Sequence, residues 1–194
     1  MRKIDCIMRR VIVFTVAAAA LTTSVAVRAT VLLPAEFREI VGDSQIIAYG
    51  RVVNSVPELS DDRKRIETIV TFEVQTYLKG GSGGTITFRV PGGQVGRYRS
   101  ITVGAPILEN GTEAVLFLRQ PEGGLPYVFG LNQGVFRVQR DARTQRRMVV
   151  APLFARGETP ERVTRGAASR QPMQLESFGA EVRSVMAELA DSRR

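Results

Sequence analysis

Residues 66–78 keep a period of two: Ile66, Thr68, Val70, Phe72, Val74, Thr76 and Leu78 fall on one side, with Glu67, Thr71, Glu73 and Gln75 on the other. Successive side chains of a strand point to opposite faces, so this run predicts a half-exposed strand with Tyr77 as the only aromatic on its outward side. A strand of that length is long enough to bend round a barrel.

The neighbouring segments carry the same signature in shorter form. Ile46 to Val53 is apolar on both faces apart from Arg51, as expected of a strand buried on most of its surface. Gly80-Gly81-Ser82-Gly83-Gly84 makes a turn into Thr85 to Val90, which Pro91-Gly92-Gly93 stops. Asn110-Gly111 is a hairpin signal ahead of Ala114 to Leu118, a central strand, and Tyr127 to Leu131, Val135 to Val138 and Met148 to Val150 complete the set. Before the strands, Pro34 to Val41 predicts a short helix with Phe37, Ile40 and Val41 on one face and Gly42 at its end. After them, residues 155–171 lose all periodicity and predict a linker. Residues 172–194 return to helical spacing, with Leu175, Phe178, Val182, Val185, Met186 and Leu189 on one stripe. The stripe either packs on the chain's own barrel or serves a partner, self-association included. The predicted fold is mainly β: a small OB-like closed or partly open barrel over residues 30–154, with a short N-terminal helix and a C-terminal amphipathic helix.

The first residues predict export. A basic start (Met8-Arg9-Arg10), an apolar stretch from Val11 to Val27 and the small-x-small site Val27-Arg28-Ala29 are the parts of a signal peptide over residues 1–29, cleaved to leave Thr30. Met8 alone would serve as the start of a compact signal. The 17 residues from Val11 to Val27, with Thr15, Thr22, Thr23 and Ser24 among them, fall short of the roughly 20 of a spanning helix. Cys6, the single cysteine, lies ahead of the apolar stretch, so the mature chain would have no disulfide, thiolate or cysteine-bound metal. Cleavage also changes the charge: the whole chain is +8, whereas residues 30–194 hold 22 basic and 18 acidic side chains, or +4. That balance is mildly basic, only weak evidence for nucleic acid as a partner, and a mixed solvated surface explains it better.

Asp43 to Val53, followed by Val70-Thr71-Phe72-Glu73-Val74 and Tyr77-Leu78-Lys79-Gly80, resembles the opening strands of the netrin-like domain, the OB-type barrel of tissue inhibitors of metalloproteinases. The layout with Leu78-Lys79-Gly80 and Pro91-Gly92-Gly93 is also similar to exported bacterial proteins of unknown function. The resemblance implies a barrel. The inhibitors chelate zinc through an N-terminal cysteine pinned by disulfides, and here the predicted terminus is Thr30, so no inhibitory site carries over.

Histidine is absent, which removes the usual general base, the Ser-His-Asp and Cys-His pairs and the commonest zinc ligand. Asp61 and Asp62 fall in a polar loop beside Arg63, Lys64 and Arg65, and Glu67 and Glu73 lie about 20 Å apart at strand rise, too far for a glycosidase pair. The glycine run 80–84 lacks the lysine and hydroxyl that close a phosphate loop, and Asn110-Gly111-Thr112 reads as a turn, although it matches a glycosylation acceptor. No cofactor or metal is expected. The segment best suited to binding is Gly92, Gly93, Arg97, Tyr98 and Arg99, where glycines admit a close approach and the others offer charge and a ring, together with Asn132 and Gln133. The expected function is a periplasmic or secreted, non-enzymatic binding module that contacts protein or an envelope polymer through loops at one barrel end. A protease-inhibitor-like domain and an oligonucleotide-binding barrel are the alternatives.

Overall fold

A computed structural model of the chain describes residues 34–60, 63–152 and 172–192. The predicted signal peptide and its cleavage site, Asp61, Asp62 and the predicted linker lie outside the described residues.

Helix α1 (Phe37–Asp43) precedes the long strands β1 (Ile46–Leu59) and β2 (Ile66–Lys79). They are followed by β3 (Thr85–Pro91), the small hairpin β4 (Gly93–Val95) and β5 (Tyr98–Ser100), and the central β6 (Glu113–Arg119). β7 (Tyr127–Val128), a 3-10 turn (Leu131–Gly134), β8 (Val135–Arg140), β9 (Arg147–Val150), β10 (Met173–Gln174) and helix α2 (Leu175–Asp191) complete the order. The main sheet runs β1-β2-β3-β7-β6-β8-β9-β10, and β1 also pairs with β6. That second pairing closes β1, β2, β3, β7 and β6 into a five-stranded barrel. The single parallel contact, Arg89 beside Tyr127, seals the join between β3 and β7. The fold is thus mainly β with a small closed barrel, as expected from the run of strands.

β1 and β6 carry the closure and are apolar on both faces for that reason. Inward, Ala48, Val52, Ala114, Leu116 and Leu118 join Val70, Phe72, Phe88 and Val90 in the barrel core. Outward, Ile47, Tyr49, Val115 and Phe117 meet a second core made with the two helices, β8 and β9. The helical stripe finds its cover there: Phe178 and Val182 are buried, with Leu175, Val185, Met186 and Leu189 packed around them. The stripe therefore serves the chain's own barrel, the first of its two readings.

Several boundaries differ from the pattern for local reasons. α1 begins at Phe37 rather than at Pro34 and runs through Gly42 to Asp43. β1 continues past Val53 to Leu59 because β2 pairs with it all the way to Ile66. The clean alternation of β2 breaks where Gln75 and Leu78 have no opposing residue in β1. These bulges turn Tyr77 inward against the barrel core and Leu78 outward against the helices, the reverse of the expected facing. β7 stops at Val128, Phe129 and Gly130 turn the chain, and Leu131, the end of the predicted strand, begins the 3-10 turn. The hairpin β4–β5, predicted as loop, is an ordered ladder with Gly93 opposite Ser100.

Phe178 is 4 % exposed and lies at the centre of the outer core. Phe178→Ala is expected to cost about 3–5 kcal/mol in urea denaturation; an unchanged midpoint would mean that the helix adds nothing to the domain.

Candidate functional site

At one barrel end β1 and β2 run on beyond the closed ring, since pairing of β1 with β6 stops at Arg51. The hairpin β4–β5 and the segment 101–110 stand beside this extension and leave a hollow of about 630 Å³. Its walls include Ser55, Pro57, Thr68, Val90 and Arg99, and its lining takes in Val70 and Leu108, both members of the barrel core. On the segment 101–110, Ile101 is 73 % and Ile107 74 % exposed, and both line the hollow; Val103, on the same segment, is 88 % exposed. A smaller hollow of about 280 Å³ shares Val90, Pro91 and Pro106 with it and holds Arg65, Glu67, Arg89 and Tyr127.

Gly92 and Gly93 line the larger hollow, and the fold requires both as glycine. Their φ angles are +98° and +138°, and a Cβ on Gly93 would come 2.8 Å from Thr68 Oγ1 and 2.9 Å from Pro57 Cβ. The Gly92 amide donates to the Ile66 carbonyl at 2.9 Å, and the Thr68 hydroxyl donates to the Gly92 carbonyl at 2.7 Å. The pair therefore turns the chain from β3 back across β1 and β2. Arg97 and Tyr98 project at the hairpin end, where the Arg97 guanidinium donates to the Tyr98 hydroxyl at 3.0 Å, and Arg99 reaches the wall of the hollow. The half-buried Asn132 is tied to the same region through its amide, which donates to the Gly104 carbonyl at 3.0 Å.

Gln133 departs from the expectation. It is 3 % exposed, and its Oε1 accepts the Ala35 amide at 2.6 Å, so it holds the entry to α1 and is not a surface contact. The segment 101–110 is the part of the site that the sequence did not point to. Its signal was a set of apolar residues around Gly104 and Pro106 that serve no period. The motif Leu78-Lys79-Gly80 is a clasp: Leu78 packs on α2, and the Lys79 ammonium donates to the Val41 and Gly42 carbonyls at 2.8 and 3.0 Å. A lysine there satisfies the free carbonyls at the end of α1 and complements its dipole.

A polar cluster lies at the border of the outer core. The Tyr49 hydroxyl donates to Glu113 at 2.8 Å, Arg147 is 3.8 Å from the same carboxylate, and its guanidinium sits 5.8 Å from the Tyr49 ring centre. Burial first, and then the Glu113 carboxylate, push the Tyr49 phenol up from 10.0 to about 12, while Arg147 and Arg140 pull the other way. Among the described residues no group of three or more Asp, Glu, His or Cys is placed to hold a metal ion, and no helix is long and apolar enough to cross a membrane.

Folding favours the neutral phenol of Tyr49, so the unfolded chain loses that proton first as the pH rises. The stability it contributes is present below pH 10 and is lost between 10 and about 12. The difference between wild type and Tyr49→Phe in ultraviolet titration is expected to show a step near 12; a step at the ordinary tyrosine value would refute the buried pairing with Glu113. No known family model, no curated protein and no solved structure matches the chain.

Proposed function

We propose that the chain is an exported, non-enzymatic binding module that contacts a protein partner through the loops at one barrel end. The observation that carries this reading is the hollow lined by core side chains and flanked by isoleucines about three-quarters exposed. A folded domain gains by burying such side chains, and an apolar rim round a concave site marks an interaction surface. Apolar contact favours protein over the envelope polymer considered alongside it. The outward face of β2 and β3 supports oligonucleotides poorly: Glu67 and Glu73 lie on it, at 3.7 Å from Arg89 and 2.9 Å from Arg51, and Tyr77 is turned away. The protease-inhibitor alternative depends on Thr30, which is outside the described residues.

Because Ile101 and Ile107 are exposed, changing both to serine is expected to alter stability by no more than about 0.5 kcal/mol. A photo-cross-linking residue at position 107 is expected to trap one discrete protein partner in cells. The same residue at the exposed Thr87 is expected to trap none, and the 107 adduct is expected to vanish with Ile101→Ser. Equal trapping at both positions, or none at 107, would remove the barrel end as the binding surface.

Export is supported by the order of basic, apolar and small residues in 1–29. N-terminal sequencing of the protein recovered outside the cytoplasm is expected to begin at Thr30; an intact apolar segment on that material would refute cleavage.

A further inference from the structure

Residues 137–147, the hairpin of β8 and β9, hold five arginines and one aspartate, a net +4. Residues 30–194 as a whole are also +4, so everything outside this hairpin sums to zero. The net charge thus resides in this one hairpin, while the rest of residues 30–194 carries basic and acidic side chains in equal number.

Its arrangement is costly without an anion. The register sets Arg140 directly opposite Arg147, and like charges across a strand pair repel. Arg147 is 3.8 Å from Glu113, and Arg137 donates to the Ile107 carbonyl at 2.7 Å. Arg140, Arg143 and Arg146 are exposed and make no ion pair among the described residues. Four arginines elsewhere are matched, Arg38 with Glu188, Arg51 with Glu73, Arg89 with Glu67, and Arg119 with Asp43, whereas Arg63, Arg65, Arg97, Arg99 and Arg183 are spread over separate elements. The hairpin's one acid faces its own loop. Asp141 accepts from the Thr144 amide at 2.6 Å, the Thr144 hydroxyl at 2.8 Å and the Arg143 amide at 3.1 Å, and its amide donates to the Arg146 carbonyl at 2.9 Å. Asp141 therefore orders the loop that presents the arginines.

We propose that this hairpin is a docking strip for a linear phosphate-bearing polyanion. Arg140, Arg143 and Arg146, three exposed guanidinium groups within seven residues and without an ion pair among the described residues, match a counter-charge of similar density, which a chain with an anionic group at each repeat supplies. Guanidinium forks match phosphate oxygens two at a time. Residues 139–146 contain no aromatic ring on which bases would stack and no large apolar side chain to enter a bilayer. Arg140, Arg143 and Arg146 do not line the isoleucine-flanked hollow, although Arg137 of the same hairpin donates to the Ile107 carbonyl on its wall, and the strip stands whether or not that site takes a protein.

The test is fluorescence anisotropy of the full chain with labelled inorganic polyphosphate, and with polyglutamate of the same charge number, across a salt series. Polyphosphate is expected to bind, with log affinity falling linearly against log salt through counterion release. Arg143→Gln with Arg146→Gln is expected to flatten that slope by about two, and Arg140→Gln by about one more. Arg97→Gln with Arg99→Gln removes the same charge from the other hairpin and is expected to leave the slope unchanged. Equal flattening by that pair would overturn the proposal, because it would show that net charge alone attracts the polymer. Polyglutamate binding as tightly and with the same slope would overturn the assignment to phosphate, and no polyphosphate binding would overturn the strip itself. Trapping at position 107 is expected to persist in the arginine variants, so failure here is distinguishable from failure at the barrel end.

Discussion

Four phenylalanines from four different elements meet on the outside of the barrel. Phe37 comes from α1, Phe117 from β6, Phe136 from β8 and Phe178 from α2, and every pair among them has ring centres 5.1 to 6.3 Å apart, edge-on or tilted. Such arrangements set the negative face of one ring against the positive edge of another, so the contact adds direction to apolar burial. Both helices and the strands beyond the barrel are positioned by this contact. Because the cluster covers β6 from outside, the barrel wall separates two cores, and its central strands have no solvated face.

The other geometric demand falls on β1, which pairs with β2 along one edge and β6 along the other. Gly50 lies in the first half of that strand, where a side-chain carbon would overlap the Glu73 carbonyl and press on the Phe72 ring. Glycine lets the β2 backbone come close at the point where the ladder slips past Gln75. The two bulges then divide β2 between the cores. Its first part fills the barrel through Val70 and Phe72, and its last residues reach outward, where Leu78 meets α2 and Lys79 closes the end of α1. The hollow at the barrel end has the same origin, since strands that outrun the closed ring need a crossing hairpin to cover them and leave space beneath it.

Much of this was legible in the residues. A period of two in 66–78, a doubly apolar 46–53 and a helical stripe in 172–194 gave the barrel and its cover, because burial on one face or two leaves a direct mark on the sequence. What could not be read was pairing at a distance. The slip at Gln75 depends on what lies opposite it in β1, and no local pattern reports that. The meeting of Phe37 with Phe178 depends on two chain segments that sequence order does not connect. At the candidate site, Gly92 and Gly93 were singled out as permissive backbone, and their positive φ angles serve the turn that leaves β3. Gln133 was singled out as a surface contact, yet it is buried and its Oε1 accepts the Ala35 amide. The mark of segment 101–110, apolar residues without a period, was passed over, since Ile101 and Ile107 look like core residues until a fold is seen that leaves them out.

The ion pair between Arg38 and Glu188 joins residues 150 positions apart, and the outer core spans the same interval, from α1 to α2. Loop closure over such a distance must precede the contacts that compensate it, which makes the meeting of α1 with α2 a slow, non-local step of folding. Without α2, Ile47, Val115 and Phe117 have an open flank. The outer core is thus complete only when both helices are in place.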